Sequence, residues 1–114
     1  MNIPAIEHSL PYYAVIFSSL LADKAGDDYQ VMAEKMEVLA AGKSGYLDME
    51  SVRQADGHGI TVSYWQDLES IQSWKLDIDH ILAQQMGKER WYQKYSVSVS
   101  QILRQYNFEQ NADN

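Results

Sequence analysis

The chain contains no cysteine and only two prolines, both within the first eleven of its 114 residues. Without cysteine it has no disulfide, thiolate zinc site, iron–sulfur cluster or cysteine nucleophile. No segment approaches the roughly 20 consecutive apolar residues that a membrane helix requires. The first residues also lack the basic stretch and apolar run of a signal peptide. We therefore expect a cytoplasmic protein with no membrane partner.

Positive charge is also scarce. Nine Lys and Arg residues stand against sixteen Asp and Glu residues, for a formal net charge of −7. Such a charge repels phosphate backbones, so we expect no nucleic-acid partner. Hydrophobic residues make up 46% of the chain and charged residues 22%, a balance typical of a folded domain. We expect one domain over 12–108, between a flexible arm at 1–11 and a polar tail at 109–114.

Hydrophobic patterning predicts four strands and two helical regions. Alternation or enrichment in β-branched and aromatic residues predicts strands at 12–19, 46–53, 58–65 and 95–103. Apolar residues three and four apart predict a first helix that Asp27 or Asp28 caps and that runs to Ala40. A short helix after Asp67 and a separate helical piece over about 79–90 are expected between the last two strands.

The order β-α-β-β-α-β is typical of an α+β, ferredoxin-like fold. An antiparallel sheet with helices on one face leaves its other face open. Segments 12–17, 60–65 and 97–103 supply enough apolar residues to that face that we do not expect it to remain in water. The simplest solution is a homodimer in which two sheets pack face to face.

Several sequence strings carry a family resemblance. They are YYAVIFSS at 12–19, GITVSYW at 59–65, SWKLDIDHILAQQMGKERWY at 73–92, and the spaced Tyr95, Arg104, Tyr106 and Phe108. Over roughly residues 12–108 the chain resembles the antibiotic biosynthesis monooxygenase family. The resemblance implies dimers of ferredoxin-like subunits, the dimeric α/β-barrel type. Characterised members of this family include cofactor-free oxygenases of aromatic polyketides and haem-degrading enzymes, and the resemblance implies that the chain is related to them.

A cofactor-free oxygenase needs a base, a dry flat pocket and polar groups that hold a substrate anion. None of these requires a metal or a flavin, so we expect no cofactor. Histidine is the natural base, because its unperturbed pKa lies near neutrality. His8 in the arm and His58 at a hairpin are expected to be solvated, whereas His80 lies on the covering helix. His80 is therefore the candidate catalytic residue, with helix capping or packing as the alternative.

Aromatic residues are the candidates for substrate binding. Some of these aromatic side chains would form a slot for a planar ligand, and others would supply hydroxyls that bond its carbonyl or anionic oxygen. The alternative is that they pack between helix and sheet as part of the core. The slot candidates are Trp65, Trp74, Trp91 and Tyr92, and the hydroxyl candidates are Tyr64 and Tyr95. Asp77, Asp79 and His80 lack a further suitably spaced ligand, so we expect no metal site there.

Haem degradation is a less favoured alternative. The resemblance implies an Asn on the first strand and a His on the covering helix in haem-degrading relatives. The segment 12–19 has no Asn, and the helix position falls near Gln84, which we include among the candidate binding residues. The sequence therefore favours a monooxygenase that uses O2 on an electron-rich aromatic, a phenol or quinol of polyketide type. The alternative is a non-catalytic small-molecule binding or stress-response module.

Overall fold

The computed structural model describes residues 3–4, 6–22, 26–85 and 91–110, with the backbone alone at 26–29, 32 and 81–85. Its elements are β1 (Tyr12–Leu21), α1 (Gly26–Ala41), β2 (Tyr46–Arg53), β3 (His58–Trp65), α2 (Leu68–Gln85) and β4 (Tyr92–Ile102). The strands form one sheet in the order β2-β3-β1-β4, and all neighbouring strands are antiparallel. This is the expected α+β, ferredoxin-like fold.

The region between β3 and β4 differs from the expectation. We predicted two helical pieces, but α2 is one continuous helix from Leu68 to Gln85. No Gly or Pro interrupts this segment, and Ile71, Trp74 and Ile78 continue one apolar stripe across the expected break. The Asp67 carboxylate accepts a hydrogen bond from the Ser70 amide at 2.7 Å and caps the first turn. Residues 86–90 of the second predicted piece lie outside the described residues.

The strand register assigns each side chain to one face, because directly opposed residues of antiparallel strands point to the same side. We call the face beneath the helices the helix-side face and the opposite one the outer face. On the helix-side face, four rows cross β3, β1 and β4 in that order: Trp65–Tyr13–Gln101, Ser63–Val15–Val99, Thr61–Phe17–Val97 and Gly59–Ser19–Tyr95.

The core occupies only part of the helix-side face. One cluster buries Val15, Ala40, Trp65 and Ile71, and a second is centred on the buried Trp91. Beyond these clusters, β4 remains open on the same face: Val97 is 46% exposed and Val99 is 51% exposed. The described residues of the helices therefore cover the β2, β3 and β1 side of the sheet and leave part of β4 exposed.

No helix of the described residues covers the outer face, which exposes Ile16, Val52 and Ile60. Its Tyr12 end is closed by the two flanking segments. The Tyr12 hydroxyl donates to the Gln105 side-chain oxygen, and the Gln105 amide donates to the Ile6 carbonyl at 3.3 Å. Within the described part of the chain, neither helix is long and apolar enough to cross a membrane.

Candidate active site

An aromatic cluster lies on the helix-side face where β1 meets β4. Phe17 stacks on Tyr95 with ring centroids 5.6 Å apart, and Tyr92 contacts Phe17 edge-on at 5.5 Å. Val97 and Val99 extend this apolar surface along β4. We call the strip formed by Phe17, Tyr92, Tyr95, Val97 and Val99 the β4 groove. Its flat, partly exposed rings suit a planar apolar ligand.

A cation on α2 lies near this groove. The Lys75 amine donates a 2.7 Å hydrogen bond to Asp79, one helical turn further on. That hydrogen bond and the Asp79 charge raise the pKa of Lys75. Lys75 therefore remains a cation at neutral pH.

A second cation lies at the end of the sheet where Tyr95 and Ser19 face each other. The Arg53 guanidinium donates to the Gly57 carbonyl at 2.6 Å and to the Ser19 hydroxyl at 2.9 Å. Sequence reasoning missed Arg53, Phe17 and Lys75 as site residues. No local pattern predicted the position of the Arg53 guanidinium, because its approach to Ser19 depends on the register of three strands.

Of the three predicted tryptophans, Trp65 and Trp91 are buried within the subunit and Trp74 is half-buried. Trp65 is fully buried, donates its indole N–H to the Ser63 hydroxyl at 2.9 Å, and packs on Trp74 at a centroid distance of 5.2 Å. Trp74 donates to the Met36 carbonyl at 3.1 Å. Trp91 is 1% exposed and belongs to the second cluster with Tyr92. The structure thus pairs Trp65 with Trp74 and Trp91 with Tyr92, in two separate clusters.

The two predicted hydroxyl donors lie on different faces. Tyr64 opposes Ala14 and lies on the outer face, where its ring meets Tyr12 at 6.3 Å. Burial raises the pKa of Tyr64, and the nearby Glu50 and Tyr12 raise it further. Tyr95 lies on the helix-side face, in the β4 groove. The structure therefore brings Tyr95 together with Tyr92, but not with Tyr64.

The predicted base His80 is exposed on α2. At 3.6 residues per turn it lies about 140° around the helix from Lys75, so it faces away from the β4 groove. Gln84 is on the same helix, and its side chain lies outside the described residues. Asp77 pairs with Lys43 and Asp79 with Lys75, each at 2.7 Å, on different flanks of α2. Among the residues described, no three His, Asp or Glu side chains group as metal ligands.

A concavity of about 680 Å³ lies at the end of the sheet near the β2–β3 turn, lined mainly from the outer face but also by Ser19, Gly59 and Tyr95 of the helix-side row. Val52, Ile60 and Lys94 line it, together with the pair His58 and Asp56, whose side chains approach to 3.1 Å. Hydrogen bonds from the His58 backbone and then its ring lower the pKa of Asp56. Of the predicted site residues whose side chains the structure describes, only Tyr95 lines this concavity.

Comparison with known proteins agrees with this fold. SnoaB of Streptomyces nogalater, a cofactor-independent oxygenase, superposes with a TM-score of 0.62 at 9% identity, covering 88% of this chain and 99% of SnoaB. Jasmonate monooxygenase ABM of Pyricularia oryzae is 24% identical over 92 residues, which cover 79% of this chain and 43% of that protein. No protein-family model matches the chain.

The chain therefore has the ferredoxin-like fold of the antibiotic biosynthesis monooxygenases, as its sequence resemblance predicted. A second comparison, with YqjZ, an uncharacterised protein of Bacillus subtilis, shows the family of the chain. YqjZ is 45% identical over 103 residues, which cover 90% of both proteins. The protein belongs to the same family as YqjZ.

Proposed function

We propose that the protein is a cofactor-independent monooxygenase that oxidises an electron-rich aromatic, a phenol or quinol of polyketide type, with O2. The observation that carries the proposal is the aromatic cluster of Phe17, Tyr92 and Tyr95, which is partly exposed on the helix-side face of a fold shared with an oxygenase. The oxygenase function of SnoaB and of jasmonate monooxygenase ABM supports it. In this proposal the protein works as a cytoplasmic homodimer.

The chemistry needs no external reductant. When 1-naphthol is oxidised to 1,4-naphthoquinone, one atom of O2 becomes the new carbonyl oxygen. The other leaves as water with the phenol proton and the ring hydrogen. The four electrons that reduce O2 come from the substrate. Ionisation of the phenol starts the reaction, because the electron-rich anion can pass an electron to triplet oxygen.

The residues of the groove have distinct roles in this proposal. Phe17 and Tyr95 hold the ring, and the Tyr95 hydroxyl donates to the substrate oxygen. The Lys75 cation near Tyr95 favours the ionised substrate. His80 is the proposed base. Because it lies outside the groove, it would take the proton through water.

Oxygen uptake by metal-stripped protein with 1-naphthol and an anthrone tests the proposal. The Val97→Trp variant fills the groove, and Val38→Trp places the same bulk on an exposed site of α1. We expect saturable uptake by the wild type and Val38→Trp, and its loss in Val97→Trp. Uptake that Val97→Trp retains would contradict the assignment to the groove. A probe that raises the melting temperature without being consumed would instead support the non-catalytic binding module.

A further inference from the structure

The concavity near the β2–β3 turn is distinct from the β4 groove, and Tyr95 is the groove residue among its described lining residues. Its volume of about 680 Å³ falls in the range of roughly 300–1,000 Å³ that is usual for small-molecule sites. Most of its side chains belong to two adjacent rows of the outer face: Lys94–Leu20–His58, and Ser96–Ser18–Ile60–Val52. A ligand held there would lie mainly on the side of the sheet opposite the proposed oxidation site.

These side chains divide into a polar half and an apolar half. Lys94 and Ser96 are two residues apart on β4, so they point to the same face, and Ser18 on β1 opposes Ser96. The apolar half, on β1, β3 and β2, consists of Leu20, Ile60 and Val52. An amphipathic ligand suits such a surface, because its apolar part covers exposed carbon while its polar end stays beside the amine and the hydroxyls.

The charge of Lys94 is available to a ligand. Within the described part of the chain, none of the salt bridges includes Lys94. The acidic side chain that lines the concavity, Asp56, is instead held by His58, through the backbone amide at 3.0 Å and the ring at 3.1 Å. His58 and Lys94 both oppose Leu20, from different sides, so two strand spacings of about 4.8 Å each separate their backbones.

The sign of the ligand charge follows from this arrangement. A chain with a net charge of −7 repels anions from most of its surface, so a cation inside a concavity determines where an anionic group is held. The Ser96 and Ser18 hydroxyls can donate hydrogen bonds to the same group. Carboxylate oxygens accept both kinds of contact, whereas an ammonium group would be repelled by Lys94.

We propose that this concavity binds an amphipathic carboxylate, such as a medium-chain fatty acid, whose carboxylate pairs with Lys94 while its alkyl chain covers Leu20 and Ile60. The site is separate from the β4 groove, so the inference does not depend on the proposed oxygenase activity. The Lys94 row is the last outer-face row of the sheet. The ligand would therefore lie at the edge of the surface that we expect to contact a second copy of the chain.

Isothermal titration with decanoate and decanamide tests the inference, because the two probes share a chain length and differ in charge. We expect the wild type to bind decanoate about fivefold more tightly, since a solvent-accessible ion pair is worth up to about 1 kcal/mol. Lys94→Met should abolish this preference. Lys35→Met, which removes the same charge at an exposed position of α1, should leave it unchanged.

Two further comparisons test the apolar half and the location of the site. Butyrate should bind at least about tenfold more weakly than decanoate, because each buried CH₂ group contributes about 0.8 kcal/mol. Val97→Trp, which fills the β4 groove, should leave the affinity for decanoate unchanged. Loss of decanoate binding in that variant would place the carboxylate in the groove and overturn the inference.

The wild type itself can also contradict the inference. Equal affinity for decanoate and decanamide, or a preference that Lys94→Met retains, would show that Lys94 does not hold the carboxylate. No binding of decanoate would exclude the site and leave the oxygenase proposal standing, since oxygen uptake is measured separately.

Discussion

Tyr64 and Tyr95 lie on opposite faces of the same four-stranded sheet, although both present a hydroxyl that a ligand could use. Tyr64 contacts Tyr12 on the outer face, whereas Tyr95 stacks on Phe17 beneath the helices. Substitutions at these two residues therefore distinguish a ligand site on the helix-side face from one on the outer face.

Replacing each tyrosine by Phe removes only the hydroxyl. We expect Tyr95→Phe to weaken binding of 1-naphthol about tenfold, since a hydrogen bond to a substrate anion is worth roughly 1.5 kcal/mol or more. Tyr64→Phe should change the affinity less than twofold. Isothermal titration of both variants checks this. The reverse order of effects would place the ligand on the outer face.

His80 is tested separately, because its assignment rests on sequence. If His80 is a base that acts through water, the His80→Ala variant should take up oxygen about 100-fold more slowly and bind 1-naphthol with unchanged affinity. His58→Ala, which changes an imidazole on the outer face, is the matched control. Uptake by His80→Ala at the wild-type rate would exclude His80 from the mechanism.

The Trp65–Ser63 hydrogen bond predicts a stability effect. Ser63→Ala leaves the fully buried Trp65 indole N–H without the Ser63 acceptor, which should cost about 1–3 kcal/mol of unfolding free energy. Ser51 makes a similar 2.7 Å bond to Thr61 at an exposed position, so Ser51→Ala should cost less than about 0.5 kcal/mol. Urea unfolding measures both values. Equal losses of unfolding free energy in the two variants would show that burial does not determine how much the Trp65–Ser63 hydrogen bond contributes to stability.

Dimerisation through the outer face stays a prediction. Ile16, Val52 and Ile60 are exposed there, and burying them in a second copy is favourable. We expect light scattering at micromolar concentration to give twice the chain mass. Ile60→Asp should shift the mass to that of one chain, whereas Val38→Asp on α1 should not. A wild-type monomer would contradict the prediction.

Local sequence patterns predicted the order of elements because each strand carries its own period-two or β-branched signature. They failed at α2, where Ile71, Trp74 and Ile78 form one stripe that continues through the expected break. The two-residue period of the strand also predicts that Tyr64 and Trp65 lie on opposite faces of the sheet, because adjacent side chains on a strand point in opposite directions. The approach of Arg53 to Ser19 was not available, because it depends on the register of three strands and on the space above Gly59.

In the proposed function, an electron-rich aromatic bound in the β4 groove is oxidised by O2 without a cofactor. The most direct measurement is mass spectrometry of the product formed under ¹⁸O₂ by metal-stripped protein with 1-naphthol, 1-hydroxy-2-naphthoate and an anthrone. We expect the wild type, but not Val97→Trp, to convert at least one of these substrates to a quinone that carries one ¹⁸O atom. Full recovery of every substrate unchanged after incubation with the folded wild-type protein would contradict it.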